Sequence, residues 1–249
     1  MCIVLVAYRT DDNFPLVVAA NRDEYFARPS LAAHYWTDSN QIFAGRDIEA
    51  GGTWLGVTRG GRFAALTNWT GNDRAKNSSA SRGWLVRDFL QTDSSCEAFI
   101  RELNGAAYQG FNLLVFDGQN LVHWSNRTSV QKVFEPGFYG ITNTNFTNSW
   151  AKTRAGVDMI TQVKNRHDVD SLIQMLRRHT KTDDMSGAVE PEQQESPCFV
   201  FGETYGTRAS TAVVFDDKRI FFKEQQYGPG ARRGKFVYEC IPVEGENLQ

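Results

Sequence analysis

The sequence predicts an α+β fold in which antiparallel sheets and helices form layers, and three observations lead to this prediction. Pairs of short segments rich in β-branched and aromatic residues recur along the chain and are joined by turn residues, as in hairpins. Segments with apolar residues at helical spacing lie between these pairs. The pattern contains no repeat or interdomain linker, so residues 1–249 are predicted to form a single domain. Two sheets packed face to face with helices outside suit this order, although the periodicity leaves a barrel with added helices open.

Most of the predicted strands come as neighbouring pairs. The first pair covers residues 2–8 and 16–20, with a turn at residues 11–13. The other strands cover residues 54–58 and 63–68, residues 111–116 and 121–124, residues 209–215 and 219–223, and a last edge strand at 235–241. The dipeptide Asp117-Gly118, between the strands of the third pair, is a strong hairpin signal.

Four helices are predicted between the strand pairs. They cover residues 81–90, a segment that Ser94 caps and that runs to residue 103, residues 149–164, and residues 168–176. In the last of them, apolar residues follow the spacing i, i+3, i+4, i+7 of an amphipathic helix, at Val169, Leu172, Ile173 and Leu176. The polar, acidic segment 180–196 is predicted to be a loop.

The composition indicates a soluble globular protein and excludes several classes of function. Hydrophobic residues make up 41% and charged residues 22% of the chain, and the net charge is −2. We therefore expect no surface for nucleic acid or for an anionic membrane. No apolar run approaches the roughly 20 residues that span a bilayer, so no integral membrane segment is expected. The composition leaves the oligomeric state open.

The four cysteines and four histidines do not predict a metal site. The cysteines lack the C-x-x-C spacing of zinc and redox sites, and the histidines are scattered along the chain. The N-terminus lacks the pattern of a secretory signal. We therefore expect no metal or cofactor, reduced thiols and a cytoplasmic location.

A cysteine at position 2 has special chemistry if Met1 is removed, because the thiol and a free α-amine then belong to one residue. In an unstructured peptide the pKa is about 7.7 to 8.0 for the amine and about 8.5 for the thiol, so a neutral amine can take the thiol proton near neutral pH. This arrangement is an activated nucleophile that carries its own base. The alternative is a small apolar residue that opens a buried strand.

The segment Asn21-Arg22-Asp23-Glu24 follows the second predicted strand. If that strand pairs with the first, these residues lie near Cys2. Arg22 would then favour the thiolate and hold a substrate carboxylate bidentately, and Asp23 would accept hydrogen bonds from the α-ammonium. The alternative is a charged turn with a surface ion pair, which stabilises little.

Cys2 together with Asn21-Arg22-Asp23-Glu24 resembles the NRDE family, which includes the transport and Golgi organisation protein 2 proteins. Further segments resemble the motifs of this family and occur in the same order: Gly51-Gly52-Thr53-Trp54-Leu55-Gly56, Ala65-Leu66-Thr67-Asn68, Ser81-Arg82-Gly83 and Tyr205-Gly206-Thr207-Arg208-Ala209-Ser210-Thr211. The resemblance extends from residue 2 to about residue 240.

This family in turn resembles the cysteine branch of the N-terminal-nucleophile hydrolases, which includes penicillin V acylase and bile salt hydrolase. The resemblance implies a four-layer αββα sandwich of two antiparallel sheets. It also implies a catalytic set with Cys2 as nucleophile, Arg22 and Asp23 beside it, two asparagines that hold the oxyanion and a later arginine. In this sequence the asparagines are Asn68 and Asn143, and the arginine is Arg208.

The function that this resemblance implies is a cysteine hydrolase that acts on a linear amide or another acyl compound. The alternative, also implied by the resemblance, is a non-catalytic protein that binds or traffics haem or lipid, and haem would then be a ligand. A third possibility is a scaffold with neither activity. The sequence does not decide whether the chain is an enzyme, because one fold hosts many functions.

Overall fold

The computed structural model of the chain describes residues 2–70, 80–144, 146, 151–177 and 198–244. The described part contains two antiparallel sheets. The first sheet has the order β10-β1-β2-β11-β12-β13, formed by β1 (Ile3–Tyr8), β2 (Leu16–Tyr25), β10 (Gly137–Ile141), β11 (Tyr205–Phe215), β12 (Arg219–Gly228) and β13 (Arg232–Pro242). The second sheet has its strands in chain order, from β3 (Ser30–Trp36), β4 (Ser39–Asp47), β5 (Leu55–Thr58) and β6 (Phe63–Asn68) to β7 (Phe111–Phe116), β8 (Leu121–Ser125) and β9 (Gln131–Val133).

The sheets pack face to face, and helices cover their outer faces. Helices α1 (Gly83–Gln91) and α2 (Cys96–Glu102) pack on the second sheet, and α3 (Ala151–Gln162) and α4 (Val169–Leu176) pack on the first. Alternate residues of β1 show the layering: Val4 and Val6 enter the core between the sheets, whereas Ile3 and Leu5 face the helices. All of β1 is therefore buried, as expected for a strand covered on both faces. The predicted α+β sandwich with αββα layers is confirmed.

The predicted hairpins and the edge strand are observed, but the sequence does not predict β3, β4, β9 and β10. Strand β4 begins with polar residues, and β9 and β10 are too short to show an alternating pattern. The omission of β10 matters for function, because β10 pairs with β1 beside its N-terminal end.

Two local predictions need correction. Residues 21–24 lie within β2, which runs to Tyr25, and not in a turn after it. The N-cap of α2 is Ser95, whose hydroxyl accepts a hydrogen bond from the Ala98 amide, and not Ser94. The first two residues of the helix predicted at 149–164, and the loop predicted at 180–196, lie outside the described residues.

The glycine segment that resembled a family motif brings β5 close to the start of α1. A Cβ on Gly52 would lie 2.5 Å from the backbone carbon of Gly83, a separation that real Cβ atoms essentially never show. Gly51 has a φ of +71°, in the left-handed region that favours glycine. This contact holds residues 51–54 against the N-terminal end of α1, at the wall of the cavity described below.

Candidate active site

Strand pairing places Cys2 at the end of the first sheet between two predicted site residues. Ile3 pairs with Asn21 of β2, and Val4 pairs with Ile141 next to the end of β10. Extending the first register by one residue places Cys2 opposite Arg22. Extending the second register by two residues, past the end of β10, places Cys2 level with Asn143. Cys2 lies on the face of β1 that looks toward the second sheet, since Val4 and Val6 do the same.

Cys2 lines a cavity of about 400 Å³, and the charges around it act on the thiol in opposite directions. Burial raises the pKa of the Cys2 thiol, and the negative charge of Asp23 raises it further, whereas the positive charge of Arg22 lowers it. The Cys2 Sγ lies 3.9 Å from the backbone oxygen of Asp23. The surroundings alone therefore do not produce a thiolate, and a base is needed to take the proton.

Arg22 and Asp23 are neighbours in β2, so their side chains leave the strand on opposite faces. Arg22 lines the cavity, with Nη2 at 3.7 Å from Asp47 Oδ2 and 3.9 Å from Glu24 Oε2. The Asp23 carboxylate is fully buried; it accepts a hydrogen bond of 2.6 Å from Thr207 Oγ1. The alternative of a charged surface turn is therefore wrong.

Arg208 reaches the same cavity because of an irregularity in β11. Thr207 pairs with Asp23 and Ala209 pairs with Arg22, so Arg208 is the extra residue of a β-bulge. Its Nη1 donates to the backbone oxygens of Tyr25 and Arg28. The bulge thus directs a second arginine toward the cavity that Arg22 lines.

The two predicted asparagines come together across the sheets. Asn68 ends β6, is exposed and lines the cavity, whereas Asn143 is buried beyond the end of β10. Asn143 Nδ2 donates to the Asn68 backbone oxygen at 2.6 Å, and Asn143 Oδ1 has no hydrogen-bond partner among the described residues. One hydrogen of the Asn143 amide is therefore engaged, and Asn143, unlike Asn68, is not among the described residues that line the cavity.

A buried pair that the sequence did not reveal fixes the segment that carries Asn143. Asn112 Nδ2 donates to the backbone oxygens of Thr142 and Thr144, at 3.0 and 3.1 Å, on either side of Asn143. Asn112 Oδ1 lies 3.2 Å from His123 Nε2, so this nitrogen carries the proton. The second sheet thereby holds the end of β10, a long-range contact with no local sequence signal.

Because His123 is buried, we expect the folded protein to lose stability at acidic pH. Burial, with a smaller effect of Lys132, lowers the pKa of His123 from its ordinary 6.5 to about 4. The unfolded chain therefore binds a proton between these values before the folded chain does, and stability falls as the pH drops below 6.5. We expect the fall in unfolding free energy between pH 7.5 and pH 4.5 to be smaller in His123→Gln than in the wild type, by roughly 2 to 3 kcal/mol. Urea unfolding at both pH values measures it, and an equal fall in both proteins would contradict the assignment.

Sequence reasoning also missed a buried lysine and most of the charged wall of the cavity. Lys152 of α3 lies 3.5 Å from Asp23 Oδ2, and its side chain is 2% exposed. The cavity wall further includes Arg28, Arg46, Arg82, Asp47 and Glu224. Burial raises the pKa of Glu224 and lowers that of Arg82. These residues come from separate strands and loops, and only the fold brings them together.

The described residues contain no group of three or more His, Cys, Asp and Glu side chains that could hold a metal ion. In the part of the chain that the structure describes, no helix is long and apolar enough to cross a membrane.

Comparisons with known proteins agree with the geometry. Residues 1–229 match the family described as Transport and Golgi organisation 2. The Transport and Golgi organization protein 2 homolog of Bos taurus is 30% identical over 256 residues, which cover 90% of this chain and 92% of that protein. The corresponding homolog of Homo sapiens is 30% identical over 257 residues, with the same coverage of both chains.

A solved structure shares the fold. The Caenorhabditis elegans N-acylethanolamine-hydrolyzing acid amidase ortholog superposes with a TM-score of 0.55 at 13% identity, covering 86% of this chain and 92% of that one. At this identity the likeness concerns the fold alone. The four-layer sandwich is therefore a fold that this chain shares with that amidase ortholog.

Proposed function

The chain belongs to the Transport and Golgi organisation 2 family, and from this premise we propose that it is a cysteine hydrolase acting on a linear amide or another acyl compound. The observation that carries the proposal is the position of Cys2, which lines a cavity at the end of β1, with Arg22 opposite it in β2 and Asn143 just beyond the end of β10. The nucleophile, a cation and an amide donor are thus neighbours, as acyl transfer requires.

The reaction begins with the α-amine that Cys2 gains when Met1 is removed. The amine takes the thiol proton, and Sγ attacks the carbonyl carbon of the substrate. The carbonyl electrons move to oxygen, and the amides of Asn68 and Asn143 donate to this oxyanion. The α-ammonium then gives its proton to the leaving nitrogen, the C–N bond breaks, and a thioester on Cys2 remains. Water, deprotonated by the same amine, attacks the thioester, releases the acid and restores the thiol.

The charged cavity wall favours a substrate that carries negative charge. Among the described residues, the Arg22 guanidinium contacts carboxylates at 3.7 and 3.9 Å, and Arg208 donates to backbone oxygens. Both guanidinium groups therefore keep donors that a substrate carboxylate or another anion can accept.

Removal of Met1 is the condition that separates this function from that of a carrier. We expect chains that begin with Cys2 to hydrolyse acyl amides, whereas chains extended by Gly-Ser before Cys2 release no acyl group, since their nitrogen is an amide without a basic lone pair. Intact-mass measurement establishes each terminus, and the probes are acyl p-nitroanilides with and without a carboxylate on the acyl chain.

The exposed Cys240 supplies a control thiol within the same protein. An acyl group trapped on Cys2 and not on Cys240, located by peptide mapping, supports the proposal. Equal acyl release by the extended chain would overturn it. Binding of haem or lipid by both chains, with no acyl release by either, would identify a carrier.

A further inference from the structure

Lys152 lies on the buried face of α3, where lysine is rare. The buried residues of this helix are Lys152, Gly156 and Ile160, which form one stripe at intervals of four residues. Gly156 packs against Leu5 and Ile3 of β1, so the stripe faces the central strands of the first sheet. The ammonium group of Lys152 is thus held beneath the strand that carries Cys2.

A buried ammonium group needs a negative partner, because its transfer from water into a protein interior costs several kcal/mol. Asp23 supplies this partner: its Oδ2 lies 3.5 Å from Lys152 Nζ, and both side chains are almost completely buried. Buried ion pairs often add little to stability compared with apolar residues of the same volume. A gain in stability is therefore a weak explanation for an ion pair at this position. A role at the neighbouring nucleophile explains it better.

Asp23 connects this pair to the nucleophile. Its backbone oxygen accepts from Cys2 Sγ and from the Tyr205 hydroxyl, and its carboxylate accepts from Thr207. After burial, the charge of Asp23 is the next cause that raises the pKa of Cys2 and of Tyr205. The pKa of Cys198, which burial raises to about 11, is lowered by Lys152 and raised by Asp23. Within the described part of the chain, the charges of this pair thus change the pKa of the Cys2 and Cys198 thiols and of the Tyr205 phenol.

We propose that Lys152 is a positioning residue whose ammonium keeps Asp23 ionised, so that the Asp23 carboxylate can hold the α-amine of Cys2 with its lone pair toward the thiol. The role rests on the proposed hydrolase function. An ionised carboxylate accepts a hydrogen bond from an amine and leaves its lone pair free. A protonated carboxyl donates its hydrogen to the lone pair instead, and the amine then cannot act as the base.

The direct test follows the ionisation of Asp23 and needs no substrate. Chains that begin with Cys2 are labelled with ¹³C at the aspartate carboxyl carbons, and the Asp23 resonance is assigned by its absence in Asp23→Asn. At pH 7 we expect it at the position of a carboxylate in the wild type and in Lys152→Arg. In Lys152→Met the buried carboxylate has lost this cation, and we expect its resonance to move toward the position of a protonated carboxyl.

The second readout is the pH dependence of acyl release. In Lys152→Met we expect the acid limb of the profile to move upward by about one pH unit or more, in step with the protonation of Asp23, and we expect Lys152→Arg to keep the wild-type limb. Since a purely structural ion pair would affect thermal stability but not this limb, a change in stability alone would overturn the proposal. Lys152→Gln, which can still donate a hydrogen bond to Asp23 but lacks the charge, replaces Lys152→Met if that variant does not fold.

The two proposals fail in different ways. If no variant releases an acyl group, the hydrolase function fails, and the carboxyl resonance still reports whether Lys152 controls the charge of Asp23. If the wild type is active but Asp23 stays ionised in both Lys152→Met and Lys152→Gln, the role of Lys152 fails alone. In the double variant Asp23→Asn with Lys152→Met, the unpaired charge is gone, so we expect recovered stability without recovered acyl release.

Discussion

The substitution Cys2→Ser should lower acyl release by at least about a thousandfold while leaving ligand affinity close to that of the wild type. Serine has nearly the shape of cysteine, and the variant still has a free α-amine at residue 2 after Met1 is removed. It is a much poorer nucleophile than the thiol at neutral pH, because the α-amine removes the proton of a hydroxyl far less readily than that of a thiol. The contacts to the substrate come from the cavity wall, including Arg22 and Arg208, and the exchange of one atom leaves them in place.

The measurement compares acyl release and ligand affinity for both proteins, each confirmed by mass to begin at residue 2. Cys240→Ser is the matched control, because this thiol is exposed on the edge strand β13 and should contribute nothing to turnover. Unchanged acyl release in Cys2→Ser would exclude Cys2 as the nucleophile. A haem carrier that uses the Cys2 thiolate as iron ligand would instead lose haem affinity with no reaction to lose.

Local pattern is enough to predict the core strands of both sheets. The hairpin pairs β1–β2, β5–β6, β7–β8 and β11–β12 have segments rich in β-branched or aromatic residues that are joined by recognisable turns, so these strands and their pairing within each hairpin follow from the sequence. The position of Cys2 beside Arg22 follows from the β1–β2 hairpin in the same way. The αββα arrangement does not, because hairpin periodicity is the same in a sandwich and in a barrel; the family resemblance supplied it.

The parts of the site that escaped prediction depend on contacts between distant segments. The family resemblance predicted Arg208 as a site residue, but the bulge through which it reaches the cavity is not revealed by a strand pattern. In the sequence, Lys152 is one of several polar residues of an amphipathic helix, and no neighbouring residue indicates that it faces the sheet. His123 and Asn112 lie in adjacent strands, but their task is to hold the end of β10, a strand that was itself not predicted. That a charged residue such as a lysine occupies a buried position can be recognised only once the fold is known.

The substitution Asn143→Leu should lower the kcat of acyl release by about 10² to 10³-fold, because an oxyanion hole loses one of its donors. The oxyanion forms only in the transition state, so KM should change little. Stability should change little as well. Leucine matches the amide in size, and although the hydrogen bond from Nδ2 to the Asn68 backbone oxygen is lost, the buried Oδ1 without a partner among the described residues is removed at the same time.

Thr211→Val provides the matched control for this prediction. Thr211 lies in β11 of the same sheet, and its buried hydroxyl also lacks a hydrogen-bond partner among the described residues. Thr211→Val therefore also replaces a buried polar side chain with an apolar one of nearly the same shape. We expect Thr211→Val to keep full turnover and a melting temperature equal to or above that of the wild type. Steady-state kinetics and thermal melting of both variants measure the contrast. A rise in KM at constant kcat in Asn143→Leu would assign Asn143 to ground-state binding, and an unchanged kcat would remove it from the oxyanion hole and leave Asn68 as its amide donor.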